Sequence, residues 1–189
     1  MERKLEKYIL HFKNAMDKKI CSKTVEEITK FKNWQEHQFH EPKSGKLINV
    51  SGSQELDNTW NKSKNHQYFM DNIGKCIVEY INYFKFSWHD TITGYSDIRF
   101  NRYKKNKKMA MHCDHITTLF DGQRKGIPTL SCLGVLNQNY IGGEFVFFDD
   151  MKINFETGDL VIFPSNFLFP HRVEPVKKGT RYSYISWTW

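Results

Sequence analysis

The stretch Gly158–Trp189, GDLVIFPSNFLFPHRVEPVKKGTRYSYISWTW, decides the fold class of this chain. It opens on the apolar run "DLVIFP" (159–164), restarts at "HRVEPV" (171–176), turns over Lys177, Lys178 and Gly179, and ends on "RYSYISW" (181–187). Short β-branched and aromatic segments bounded by Pro, Asn, Lys and Gly read as strands. His171 heads one of them and Arg181 another. A three-residue hairpin loop over 177–179 would pair Val176 with Thr180, Pro175 with Arg181 and His171 with Ile185, which puts His171 and Arg181 on one face. Four residues of ladder then separate them, about 13 Å at roughly 3.3 Å per residue. A long arginine side chain and a short dicarboxylate would fill that gap together.

The same grammar runs upstream. "DIRFNRY" (97–103), "TLSCLGVLN" (129–137) and "GEFVFF" (143–148) read as further strands, with turns at Asn139–Gly143, Glu156–Asp159 and Lys177–Thr180. So many short strands predict a sandwich or barrel whose interior holds a ligand. Between two of them lies Met109–Thr118, MAMHCDHITT, with His112, Cys113, Asp114 and His115 in succession. On a regular strand His112 and Asp114 share one face, and Cys113 and His115 the other. A histidine and a carboxylate two positions apart can bind one metal ion, and His171 is the candidate third ligand. Two histidines and a carboxylate on one side of iron(II) leave the opposite positions open. An HxD alone is common; it gains weight from His171 and Arg181, because a guanidinium inside an aromatic-lined barrel is costly unless paired, and its planar fork suits a carboxylate.

Ahead of residue 95 the pattern is helical and loop-like. "LEKYILHFKNAM" (5–16) satisfies both a helical spacing and an alternating one, so its type stays open. Asp17 is placed to cap a helix carrying Ile20, Cys21, Val25 and Ile28, and 68–84 carries an apolar stripe at helical spacing. Residues 34–63 are polar and read as a long loop; with 103–111 they are the candidate lid. His11, His37, His40, His66 and His89 have no ligand spacing and receive no role.

A chain of 189 residues, 39% hydrophobic and 15% aromatic, suffices for one domain. No apolar run reaches membrane-span length and "MERKLEKYIL" lacks a secretion signal's apolar core, so a soluble, cytoplasmic protein without membrane contact is expected. The scattered cysteines fit reduced thiols. The net charge of +7 includes the lysine-rich "YKKNKK" (103–108), which keeps nucleic acid as a secondary partner class, although aromatics do not alternate with these lysines as base stacking requires.

With His112-Cys-Asp114, His171 and Arg181 ten positions later, the chain resembles the iron(II) and 2-oxoglutarate-dependent oxygenases, above all their prolyl 4-hydroxylase-like branch. The resemblance covers about residues 97 to 189 and includes "YIGGEFVFF" and "GDLVIFP". It implies an α+β chain with a mainly β core, a double-stranded β-helix (jelly-roll) with N-terminal helices packed outside. One oxygenase domain over 1–189 is expected, with 1–95 as helical support and loops and 96–189 as the core. By this likeness His112, Asp114 and His171 bind Fe(II), and Arg181 grips the far carboxylate of 2-oxoglutarate. Tyr103, nine residues before His112, donates its hydroxyl to that cosubstrate. O2 is the other cosubstrate and ascorbate a supporting reductant. The implied reaction decarboxylates 2-oxoglutarate to succinate and hydroxylates a substrate; relatives that halogenate have a small residue where this chain has Asp114. Met109 stands where the branch often carries a tyrosine near the substrate ring, and Trp187 matches its pocket tryptophan. The expected substrate is a peptidyl residue, foremost proline in a flexible segment. Alternatives are a free amino acid, another small molecule or a nucleobase, and, outside enzymes, a non-catalytic β-barrel binding module.

Overall fold

Alternation along the C-terminal strands sends one side chain in two toward a β interior and the other toward a helical layer. The computed structural model describes residues 4–40, 47–48, 54–85, 92–114, 124 and 126–189. In the N-terminal part these are β1 (Leu10–Phe12), α1 (Lys18–Ile28), β2 (Gln35–Glu36), β3 (Phe39–His40), β4 (Leu47–Ile48), β5 (Asp57–Thr59) and α2 (His66–Phe84). Then follow β6 (Arg99–Tyr103), β7 (Met109–His112), β8 (Leu130–Val135), β9 (Ile141–Gly142), β10 (Phe145–Phe147) and β11 (Met151–Ile153). The chain ends with β12 (Leu160–Pro164), β13 (His171–Val173), β14 (Val176–Lys178) and β15 (Arg181–Trp187).

A seven-stranded sheet runs β1-β12-β8-β15-β6-β5-β2 and faces a four-stranded sheet, β11-β10-β13-β7; β14 pairs with β9 and β3 with β4. This is a double-stranded β-helix. β8 and β15 are buried on both faces, so even Ser131, Arg181, Ser183 and Ser186 within them are shielded from solvent. Outward, Phe100, Cys132, Ile162 and Tyr184 join Cys21 and Ile28 of α1 and Phe69, Ile73 and Tyr80 of α2 in one cluster. Inward, Tyr103, Leu133, Phe145, Phe163, Ile185 and Trp187 join a second cluster between the sheets. Each fully buried large apolar side chain contributes about 1.5–3 kcal/mol. Asp17 caps α1, accepting from the amides of Lys19 and Ile20.

One open reading is settled and two expectations change. Residues 5–16 form a 3-10 turn at Leu5–Tyr8 and then β1, whose Leu10 sits opposite Ile162. The edge of β12 decides between the two periodicities. Nor is the N-terminal part only helix and loop, because β1, β2 and β5 all extend the larger sheet, and part of 34–63 is therefore strand. Finally, His171 and Arg181 do not lie on one hairpin. β13 sits between β10 and β7, whereas β15 sits between β8 and β6 in the other sheet. Pro175 has no amide to give a continuous ladder, and its carbonyl instead accepts from the amide of Gly143 as the chain crosses between sheets.

Candidate metal and cosubstrate site

His112 ends β7 and His171 begins β13, directly opposite one another in register. Their ring centroids are 4.3 Å apart. Asp114 lies in a bend two residues past the end of β7, not on the strand itself, and its Oδ1 is 3.5 Å from His112 Nε2 and 3.9 Å from His171 Nε2. One ligand atom from each residue lies within 4.8 Å of the others, close enough to share a metal ion.

The surroundings prepare each donor. His112 Nδ1 is 2.8 Å from the Ala110 carbonyl oxygen, and His171 Nδ1 is 3.0 Å from that of Phe169. A carbonyl only accepts, so Nδ1 carries the proton and Nε2 presents its lone pair toward Asp114. His171 is packed among Phe145, Phe147 and Phe163. Burial pushes its pKa down to about 4, which keeps the imidazole neutral. Asp114 Oδ2 accepts from Ser131 Oγ at 2.6 Å and Trp187 Nε1 at 3.0 Å, and Ser131 Oγ is 2.7 Å from Ser165 Oγ. Burial by itself would raise this carboxyl, but contact with His112, the fields of both histidines and the Ser131 hydroxyl outweigh it and hold the carboxyl well below its usual range.

Arg181, fully buried, stands opposite Tyr103 in register, with its Cζ 4.9 Å from the phenol ring centroid. Nη1 donates to Ser183 Oγ at 2.9 Å, while Nε and Nη2 have no partner among the described residues. A buried guanidinium so poorly matched by protein calls for an anion. Burial pushes the Tyr103 phenol up to about 12, so it remains an O–H donor. The Gly142-Gly143 turn makes room for this arrangement, with φ of +79° and +69°. A Cβ at Gly142 would clash with the Pro175 carbonyl oxygen, and one at Gly143 would lie 3.1 Å from Arg181 Cδ.

A narrow cleft is walled by His112, Asp114, His171, Tyr103, Met109 and Arg99 among others. Met109 lines this cleft beside the two histidines. Trp187 donates its indole N–H to Asp114 and is 1% exposed. Cys113 faces away, toward the Phe167 carbonyl. His115, His89 and the side chain of His40 lie outside the described residues. Sequence reasoning missed His37, whose pKa burial lowers to about 3 and which lies within electrostatic reach of Arg99, His112 and Asp114. It also missed Ser131 and Ser165. A serine inside an apolar strand (Ser131) or just past the end of one (Ser165) was their only signal.

The donor set of two neutral imidazoles and one carboxylate fits iron(II), and the under-bonded Arg181 fits a diacid. A family model described as 2OG-Fe(II) oxygenase superfamily matches residues 98–189. Residues 98–189 belong to the 2OG-Fe(II) oxygenase superfamily. This oxygenase region is 32% identical over 94 residues to a PKHD-type hydroxylase of Herminiimonas arsenicoxydans, covering 47% of this chain and 41% of the relative. It is 36% identical over 95 residues to a PKHD-type hydroxylase of Aliarcobacter butzleri, with the same 47% and 41% coverage. The match thus spans less than half of these relatives' length.

Solved oxygenase structures share the fold across nearly the whole chain. The viral collagen prolyl hydroxylase of Paramecium Bursaria Chlorella virus-1, in complex with 2OG, superposes with a TM-score of 0.65 at 18% identity, covering 96% of this chain and 94% of that one. A Pseudomonas putida prolyl-4-hydroxylase gives 0.68 at 15% identity, covering 96% and 91%. A Trichoplax adhaerens prolyl hydroxylase in complex with a hypoxia inducible factor peptide fragment gives 0.70 at 15%, covering 96% and 83%. Among the described residues no helix is long and apolar enough to cross a membrane.

Proposed function

We propose that the chain is a single-domain Fe(II)- and 2-oxoglutarate-dependent hydroxylase acting on a proline within a flexible peptide segment. The observation that carries this reading is the buried, under-bonded Arg181 beside Tyr103, set in the same barrel interior as the His112–Asp114–His171 cluster. His112, Asp114 and His171 would hold the metal through Nε2, Oδ1 and Nε2. Arg181 and Tyr103 would hold the far carboxylate of 2-oxoglutarate through charge-assisted hydrogen bonds. Fe(II) at such a site supplies the oxidative chemistry that couples O2 and decarboxylation of 2-oxoglutarate to C–H hydroxylation. The protein's own residues then orient and exclude: Ser131 and Trp187 hold one Asp114 oxygen so that the other faces the histidines, and the phenylalanines around His171 keep water out. The prolyl substrate is supported by the prolyl hydroxylases among the similar structures and by the apolar Met109 wall.

Succinate release from 2-oxoglutarate with Fe(II) and ascorbate, with and without proline-rich peptides, tests the reading, and mass spectrometry locates one added oxygen. Asp114→Ala should abolish metal binding and turnover. Arg181→Ala should raise the 2-oxoglutarate requirement while leaving metal affinity largely intact. Unchanged metal affinity in the first variant, or unchanged cosubstrate affinity in the second, would remove that residue from its role; oxygen added only to non-proline substrates would replace the substrate class.

A further inference from the structure

The arginines on the C-terminal strands fall into two kinds. Arg102 and Arg172 are each paired with a protein carboxylate: Arg102 places Nε and Nη2 on Asp57 Oδ2, at 3.0 and 2.9 Å. Arg172 donates to Glu174 and to the carbonyls of Phe148 and Asp149. Arg99 and Arg181 lie on adjacent strands on the interior side, and neither has a carboxylate in ion-pair contact among the described residues. Arg99 uses only Nε, which donates to Asn101 Oδ1 at 3.2 Å, while its guanidinium carbon lies 5.0 Å from the Trp187 ring centroid. Its Nη groups have no hydrogen-bond acceptor or ion-pair partner among the described residues.

The two guanidinia serve different ends of the interior. Tyr103 faces Arg181 in register and Arg99 faces Ile185, so four residues, about 13 Å of strand, separate the two positions. Arg99 stands beside Trp187, whose indole binds Asp114, and it lines the same cleft as His112 and His171. Asp114 does not neutralise it by contact, because one carboxylate oxygen is taken by Ser131 and Trp187 and the other faces the histidines. Glu55, another buried carboxylate, accepts from the amide of Ala110. A cosubstrate anchored at Arg181 leaves the Arg99 fork to a second acceptor arriving from the cleft.

We propose that Arg99 is a substrate-binding residue and that its two Nη groups take a carboxylate carried by the substrate. This rests on the oxygenase reading of the site and goes further, because it makes the substrate acidic close to the carbon that reacts. The stacking on Trp187 holds the guanidinium plane in place, as a bidentate carboxylate contact requires. Side-chain carboxylates and a terminal α-carboxylate share this chemistry, and the probes separate them.

The test uses the full chain loaded with Mn(II), which does not turn over, and 2-oxoglutarate, with binding read by calorimetry. The probes are a blocked proline peptide with a neighbouring aspartate, the same peptide with asparagine, N-acetyl-L-proline and its neutral amide. The parent should bind at least one carboxylate probe about tenfold tighter than its neutral partner, the scale of a charge-assisted hydrogen bond. Arg99→Gln should erase that preference and Arg99→Lys, which keeps charge but loses the fork, should keep only part of it; 2-oxoglutarate and Mn(II) affinities should stay within about twofold. The aspartate peptide carrying the preference points to a side chain, and N-acetyl-L-proline to a chain terminus. No carboxylate preference in the parent, including no binding of any carboxylate probe, overturns the inference, as does a preference that survives in Arg99→Gln. A comparable fall in 2-oxoglutarate affinity in that variant assigns Arg99 to the cosubstrate and also overturns it. The two failures differ: a parent that does not bind 2-oxoglutarate sinks the site reading and this inference together, whereas one that binds it but ignores probe charge sinks only the inference.

Discussion

Asp114 keeps its two oxygens in different surroundings, one facing His112 and His171 and the other bonded to Ser131 and Trp187. Such supporting hydrogen bonds fix a ligand's orientation, and losing one typically lowers metal affinity 10–100-fold. Trp187→Phe preserves most of the ring's packing and removes only the indole donor. It should therefore weaken metal binding by roughly tenfold, while leaving the affinity for 2-oxoglutarate at saturating metal nearly unchanged. Titration with Fe(II) or Mn(II), followed by cosubstrate titration, separates the two. A Trp187→Phe protein with the parent's metal affinity would leave the indole as packing alone. The sequence made Trp187 visible as an aromatic six residues past Arg181, but not its contact, because Asp114 is 73 residues away along the chain. His37 was hidden for the same reason: nothing in its neighbourhood announces that it folds within electrostatic reach of Arg99 and His112.

At the level of elements, β1 is held to the outer edge of the larger sheet by more than its short ladder. Buried Asp159 accepts from Lys13 Nζ and His11 Nε2, both at 2.9 Å, from the amide of Asn14 at 3.0 Å and from that of Glu156 at 2.9 Å. Burial works against the charged form, but these donors prevail and hold the carboxyl below its ordinary value of 3.8. The sign follows: the unfolded chain takes up the proton first, so this stabilisation is complete well above pH 3.8 and is lost as pH falls through the folded value. Asp159→Asn should cost about 1–3 kcal/mol at neutral pH. The gap between parent and variant should narrow as the pH drops toward 3. Urea unfolding at several pH values measures it; a gap that stays constant with pH would mean that Asp159 acts through shape and not through charge. This bolt also explains why "LEKYILHFKNAM" was ambiguous, since local spacing served helix and strand alike and a partner 148 residues distant from His11 settled the matter.

Across the whole molecule, what was legible was whatever the local period of the chain expresses. The strands between Arg99 and Trp187 alternate because one face meets the barrel interior and the other the helices, and His171 and Arg181 stood out as polar residues in apolar runs. Pairing was not legible where it joins distant segments, and the apparent hairpin of His171 and Arg181 dissolved into two sheets. That division has a consequence for ligand binding. His112 and His171 belong to the four-stranded sheet, while Asp114 is tied to Ser131 of β8 and Trp187 of β15 in the seven-stranded one. A metal held by all three residues cross-links the sheets, and 2-oxoglutarate at Arg181 adds to the hold on β15. Any ligand that binds only the folded state stabilises it by about 2.7 kcal/mol at one hundred times its dissociation constant. For a domain of this size that is roughly 5–10 °C in Tm. Mn(II) should therefore raise Tm by about that amount, and 2-oxoglutarate should add a second increment only when metal is present. Arg181→Ala should retain the first step and lose the second, while Asp114→Ala should lose both. Thermal unfolding of the three proteins with and without each ligand reads the pattern. A 2-oxoglutarate increment of equal size without metal, or one that persists in Arg181→Ala, would show that the diacid binds somewhere other than between the triad and this arginine.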